Sequence, residues 1–115
     1  MSELIIYHNG ECTKSKGVLE LAQEQNIPHT IRWYLADPLT EAELKVLLSK
    51  LKMRPSELVR KNEALFLHSY QDKELSEREW LTVLTENPIL MQRPIVERGD
   101  NAVVARPADR IFDVA

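Results

Sequence analysis

The stretch LIIYHNGECTKSKGVLELAQEQ, residues 4–25, holds a strand signal, a loop signal and a helix signal in succession. Leu4 to Tyr7 is a short apolar run rich in β-formers, which predicts a buried strand. His8, Asn9, Gly10 and Glu11 break that run with loop-forming residues. From Thr13 to about Gln25 the apolar positions Val18, Leu19, Leu21 and Ala22 recur at helical spacing, and Asn26-Ile27-Pro28 is predicted to end the helix. Cys12 therefore falls at a helix entrance. A second strand is predicted from His29 to Tyr34, where Ile31 and Trp33 alternate with polar neighbours, so the chain begins β-α-β.

Beyond that unit, Asp37-Pro38 marks a turn, and Thr40 with Glu43 forms a capping box, each side chain satisfying a free amide of the first helical turn. Leu44, Leu47, Leu48 and Leu51 make one apolar stripe, which predicts an amphipathic helix over about 40–51. Pro55 suits the first position of a short helix running through Leu58 to Arg60. Ser76 with Glu79 repeats the capping box, and Trp80, Leu81, Val83 and Leu84 mark a helix that stops before Asn87-Pro88. Near the carboxyl end, Ile95 to Arg98 and Ala102 to Ala105 flank Gly99-Asp100-Asn101, which reads as a hairpin with a three-residue turn. Pro107 opens a last short helix carrying Ile111 and Phe112. The expected fold class is α/β: a small mixed four-stranded sheet flanked by helices, with a helical insertion in the middle, the thioredoxin-like plan. With no low-complexity linker and no repeat, residues 1–115 are expected to form one domain of ordinary size.

Composition narrows the function classes. A chain that is 43% hydrophobic and 29% charged can bury a core, as a disordered one cannot. Its apolar runs reach only four residues where a membrane span needs about 20, and no signal peptide is visible, so a cytoplasmic protein away from membranes is expected. Fifteen Lys and Arg against eighteen Asp and Glu give a net charge of −3, which argues against a nucleic-acid partner, because such binding needs a basic footprint. Any anion site must be local. One cysteine excludes an intramolecular disulfide and the sulfur ligands of a zinc ribbon or iron–sulfur cluster, and His29 and His68 show no metal-ligand spacing, so no metal is expected.

By residue type alone a lone cysteine is more often a buried small hydrophobe than a nucleophile. The setting of Cys12 shifts that balance: it follows a polar loop, precedes a helical turn whose free amides favour an anion, and has Lys14 and Lys16 nearby, with Ser15 able to donate to sulfur and Glu11 opposing. An ordinary cysteine of pKa about 8.5 is only about 3% thiolate at pH 7, and lowering it by about two units requires about 2.7 kcal/mol. One cation about 6 Å away at an effective dielectric near 20 contributes about 2.8 kcal/mol, so one or two arginines or a helix terminus suffice.

Ile6 to Cys12 with Ser15, the Tyr34-Leu35-Ala36-Asp37-Pro38-Leu39-Thr40 turn, Glu57-Leu58-Val59-Arg60, NPILMQRPIV from Asn87 to Val96, and Ala105-Arg106-Pro107 together resemble the glutaredoxin-dependent arsenate reductase family, in matching order over almost the whole chain. The resemblance implies a role in arsenical resistance, with Cys12 as the catalytic nucleophile toward arsenate and with Arg60, Arg93 and Arg106 holding the oxyanion. It implies that Pro94 is the cis-proline of thioredoxin-like folds and that His8, Ser15 and Lys16 support the thiol. It further implies glutathione as co-substrate and glutaredoxin as partner, with no tightly bound cofactor. Arginine suits the task because it presents forked donors and stays charged. Gly10 and Lys16 stand where the family commonly has proline and arginine; Lys16 keeps the charge and loses the planar fork.

From the residues alone other roles stay open. By sequence alone Arg60 reads first as a solvated helix-end arginine paired with Glu57 or Glu63, and Arg93 and Arg106 each precede a proline, which constrains the backbone and names no function. A glutathione-dependent thiol oxidoreductase is a second reading. A noncatalytic regulator resembling the Spx proteins is a third, although their Cys-x-x-Cys pair is here Cys12 and Ser15.

Overall fold

Strand β1, Leu4–His8, lies at the centre of the sheet. It runs parallel to β2, His29–Trp33, with Ile6 opposite Ile31, and antiparallel to β3, Ile95–Arg98, with Ile6 opposite Val96. Strand β4, Asn101–Val104, pairs antiparallel with β3 and completes a mixed four-stranded sheet of order β2-β1-β3-β4. The parallel pair requires a crossover, which helix α1, Thr13–Glu24, supplies. The computed structural model describes residues 3–8 and 13–114, apart from the side chains of residues 13–15. Gly10, Glu11 and Cys12 lie outside the described residues, as do the side chains of Lys14 and Ser15.

The chain forms two compact units, one built from the residues up to Asp37 and from Arg93 onward, the other from Pro38–Gln92. In the sheet unit, Val18 and Ala22 of α1 pack on Leu4, Ile6, Val96, Ala105 and Ile111. The helix ends as its sequence predicts: Asn26 takes φ 55°, a left-handed conformation asparagine tolerates, and the Ile27 amide returns to the Ala22 carbonyl at 2.9 Å. After β4 the chain closes with a 3₁₀ turn at Ala108–Asp113, which packs against α1.

The helical unit contains α2 (Glu41–Leu51), α3 (Pro55–Leu58), α4 (Ala64–Ser69) and α5 (Glu77–Glu86). Both predicted capping boxes form: Thr40 Oγ1 accepts from the Glu43 amide at 3.1 Å and Ser76 Oγ from the Glu79 amide at 3.1 Å, with each glutamate accepting in return. Helix α5 packs against α2 and α3, burying Trp80, Leu81 and Leu84 with Leu44, Leu47 and Leu58. Among the described residues no helix is long and apolar enough to cross a membrane.

Three local details differ from the sequence reading. Helix α3 stops at Leu58, short of Arg60, because Val59 turns extended and bridges Met91 while the Arg60 amide donates to the Leu90 carbonyl at 2.6 Å. The hairpin turn has two residues, Gly99 and Asp100, because Arg98 pairs with Asn101; Gly99 permits this with φ 59°. Helix α4 is a separate element that the apolar pattern did not single out.

Candidate active site

The geometry of the sheet brings several sequence-predicted site residues to one end of it. Strand β1 ends at His8 where α1 begins at Thr13, so the described chain on both sides of residues 9–12 belongs to the carboxyl end of β1. Tyr7 of β1 lies opposite Ile95 of β3, which places His8 beside the start of β3, where Arg93 and Pro94 enter. Strand β4 returns antiparallel to the same end, and Arg106 follows it. The Ala105 amide donates to the Pro94 carbonyl at 2.8 Å, tying the two arginine-bearing segments together. The Arg93–Pro94 peptide is cis, and so is Arg106–Pro107.

His8 is 3% exposed. Trp33, its register partner on β2, meets it edge to face with ring centroids 4.8 Å apart. Nδ1 of His8 is buried and has no hydrogen-bond partner among the described residues. Loss of hydration by burial, with the Lys16 ammonium as a smaller cause, holds the imidazole below its ordinary value of 6.5, so the ring is neutral at pH 7. A cation at position 16 thus acts on His8 from α1.

Two of the predicted arginines differ in their engagement. Arg106 is exposed, and its guanidinium makes no hydrogen bond or ion pair among the described residues. It stands on the wall of a cavity of about 500 Å³ whose other described lining residues are Gly17, Ala105, Pro107 and Ala108. Arg60 belongs to the helical unit. Its Nη2 lies 3.0 Å from Glu63 Oε2, and its Nη1 donates to the Ile89 carbonyl at 3.1 Å. Of the carboxylates the sequence offered it, Glu63 is the one engaged; Glu57 instead accepts from the Arg54 amide at 2.9 Å and from Arg54 Nε at 3.3 Å. Arg93 is half-buried, Pro94 is buried and Lys16 is exposed.

The sequence reading passed over one polar pair on the other face of the sheet. Tyr7 donates its hydroxyl to Glu97 Oε1 at 2.5 Å, and Glu97 is only 9% exposed. The available signal was the alternation in Ile95-Val96-Glu97, which assigns Glu97 to the same face as Ile95.

The ArsC family matches residues 7–114. The uncharacterised protein YfgD of Escherichia coli K12 is 35% identical over 95% of this chain and 93% of its own length. An arsenate reductase of Haemophilus influenzae is 31% identical over 96% of this chain and 97% of its own. The solved structure of an arsenate reductase from Vibrio cholerae is 29% identical and superposes with a TM-score of 0.91, over 99% of this chain and 98% of the other. With the mixed sheet, the α1 crossover and the helical insertion all arranged on the thioredoxin-like plan that these proteins share, the chain belongs to the ArsC family.

Proposed function

We propose that the protein is a cytoplasmic arsenate reductase in which Cys12 is the nucleophile and glutathione and glutaredoxin supply the electrons. The observation that carries this reading is the near full-length similarity to proteins described as arsenate reductases. The exposed guanidinium of Arg106, unengaged among the described residues, adds at the end of the sheet a cation suited to an oxyanion.

The Cys12 thiolate forms a sulfur–arsenic bond as one arsenate oxygen leaves as water. Glutathione adds a second sulfur–arsenic bond and releases a second water. A glutaredoxin thiolate then attacks the glutathione sulfur. A disulfide forms between the two donors, the glutathione–arsenic bond breaks with its electron pair left on arsenic, and As(V) becomes As(III). Water displaces the Cys12 sulfur, arsenite leaves and the thiolate is restored. In this scheme Arg60, Arg93 and Arg106 hold the oxyanion, Pro94 shapes the backbone beside it, and Ser15 and Lys16 favour the thiolate. His8, neutral at pH 7, can accept or donate one hydrogen bond without adding charge. The chain itself needs no resident metal, flavin or nicotinamide, because the reducing equivalents arrive as external thiols.

The test is a coupled assay in which NADPH oxidation by glutathione reductase follows arsenate addition in the presence of glutathione and glutaredoxin. Arsenate-dependent turnover that Cys12→Ser abolishes, with the far-ultraviolet spectrum unchanged, is the expected result. Zero turnover with folded protein and active glutaredoxin, or half the activity surviving in Cys12→Ser, overturns it.

A further inference from the structure

Trp33 ends β2, an edge strand of the sheet, and is 51% exposed. An indole gains stability by burial, so one left half in water forgoes much of that gain. Part of what it covers is polar. Trp33 is the register partner of His8 on the central strand, and paired residues of parallel neighbours stand on the same face of the sheet. Their ring centroids lie 4.8 Å apart at an interplanar angle of 69°, inside the range of about 4.5–7 Å that edge-to-face aromatic pairs prefer.

The burial of His8 constrains its protonation. The residue is 3% exposed, and Nδ1 has no hydrogen-bond partner among the described residues. An imidazolium carries an N–H on both ring nitrogens, so a charged His8 would hold a buried donor with nothing to receive it. A charged group left unmet costs more than the neutral acceptor that Nδ1 becomes when the proton sits on Nε2. Dry surroundings therefore select the neutral ring. The charged groups at this end of the sheet are Lys16 on α1, Arg93 ahead of β3 and Arg106 after β4, while Glu11 and Cys12 lie outside the described residues. Arg32, next to Trp33, pairs with Tyr7 and belongs to the other face. Lys16 also opposes a second positive charge at His8, but it is exposed, so salt screens its action.

We propose that Trp33 is a positioning residue for the reaction: its indole is the cover that keeps water from the His8 ring and holds that ring in one orientation at the carboxyl end of β1. The inference rests on the proposed arsenate reaction, in which His8 works as a neutral hydrogen-bond partner. Removing the indole lets water reach the ring, makes its charged form easier to reach and frees its orientation.

The experiment follows the His8 ring of the full chain against pH by nuclear magnetic resonance, with its signal assigned by loss in His8→Gln, and measures pH–rate profiles of arsenate turnover. The parent ring should titrate below 6.5. Trp33→Ala should raise that midpoint by about half a pH unit or more, as rehydration of a buried imidazole does, and carry the acid limb of kcat/KM for arsenate upward with it. Its kcat above that limb should fall about ten-fold through lost orientation, with the KM for arsenate within two-fold of the parent. Trp33→Phe, which restores an aromatic ring, should return the midpoint and kcat close to the parent. Trp33→Thr keeps a strand-forming residue and replaces the alanine variant if that one does not fold. The difference from the parent should persist in about 1 M salt, which screens Lys16 and leaves burial in place; its disappearance would assign the effect to Lys16 and overturn the proposal. An unchanged midpoint in the small variants overturns it too, as does a phenylalanine variant that behaves like alanine. A midpoint that falls when the indole is removed would mean that the ring face stabilises the imidazolium, the opposite of the proposed role. A rise in a protein without arsenate turnover upholds Trp33 as the cover of His8 and refutes only the proposed reaction. Turnover whose acid limb and kcat ignore position 33 refutes the positioning role and leaves the proposed reaction standing.

Discussion

In the sheet unit Arg106 stands exposed with no partner among the described residues, while in the helical unit Arg60, with a side chain 14% exposed, is held by the Glu63 carboxylate and the Ile89 carbonyl. The first arrangement leaves a guanidinium ready to receive an anion. The second fixes a guanidinium in place and neutralises part of its charge, so an incoming anion competes with Glu63 for the same donors. Two arginines given the same role by resemblance therefore have different states to leave before they can perform it, and substitutions should separate them.

The largest separation is expected from alanine. Arg106→Ala should lower kcat/KM for arsenate by about 10²–10³-fold, as loss of a preorganised donor to a developing charge does, with an unchanged melting midpoint because no described contact is lost. Arg60→Ala should also lower the melting midpoint, since it strips the partner from Glu63 and from the Ile89 carbonyl. Coupled assays and thermal melts on both variants check this; equal losses of stability would erase the distinction.

A smaller effect is expected from Glu63→Gln, which keeps the shape and removes the competing charge. If Arg60 contributes to the oxyanion site, the KM for arsenate should fall about two- to five-fold, the scale of one partly solvated ion pair. A rise in KM, read from initial rates at fixed glutathione, would mean that Glu63 serves to aim Arg60.

The smallest effect is a difference in acid response between the units. His8 has its pKa lowered on folding, so the unfolded chain binds the proton more readily, and the sheet unit should lose stability as pH falls below 6.5 and level off once the folded imidazole is protonated. In the helical unit, donation from the Arg54 amide to Glu57, from the Ser56 hydroxyl to Glu77 and from the Ser76 amide to Glu79 lowers all three carboxyl groups below their usual 4.5. Their contribution is complete above that value and is lost as pH falls through their lowered folded values. Amide exchange followed residue by residue against pH should show the sheet unit loosening first; simultaneous loosening, or a flat response of His8→Gln indistinguishable from the parent, would remove the difference.

Much of the fold was readable because local rules and packing agree. The run Leu4 to Tyr7, the helical spacing of Val18 and Ala22, and the two capping boxes each name an element by nearest-neighbour chemistry, and each is present. The details that escaped depend on partners remote in sequence. Val59 leaves the helix for Met91, and Tyr7 meets Glu97 ninety residues away. For Arg60 the spacing admitted Glu57 as well as Glu63; Arg54, three residues before Glu57, takes that carboxylate. Of the predicted site, His8, Arg93, Pro94 and Arg106 gather at one end of the sheet because strand order puts them there, which no local pattern specifies. The cavity that Gly17 and Arg106 line had no signature in the sequence, since its described walls come from segments far apart in the chain.

The edge-to-face contact between His8 and Trp33 has an optical consequence. The chain has two tryptophans, and each unit holds one: Trp80 is 8% exposed among the helices, while Trp33 is 51% exposed on β2. A buried indole emits toward the blue and a solvated one toward the red, so the two units carry separate intrinsic fluorophores. Protonated imidazole quenches indole at contact distance. The red component of the emission should therefore fall as acid protonates His8, a change that a fluorescence titration against pH reads without a label.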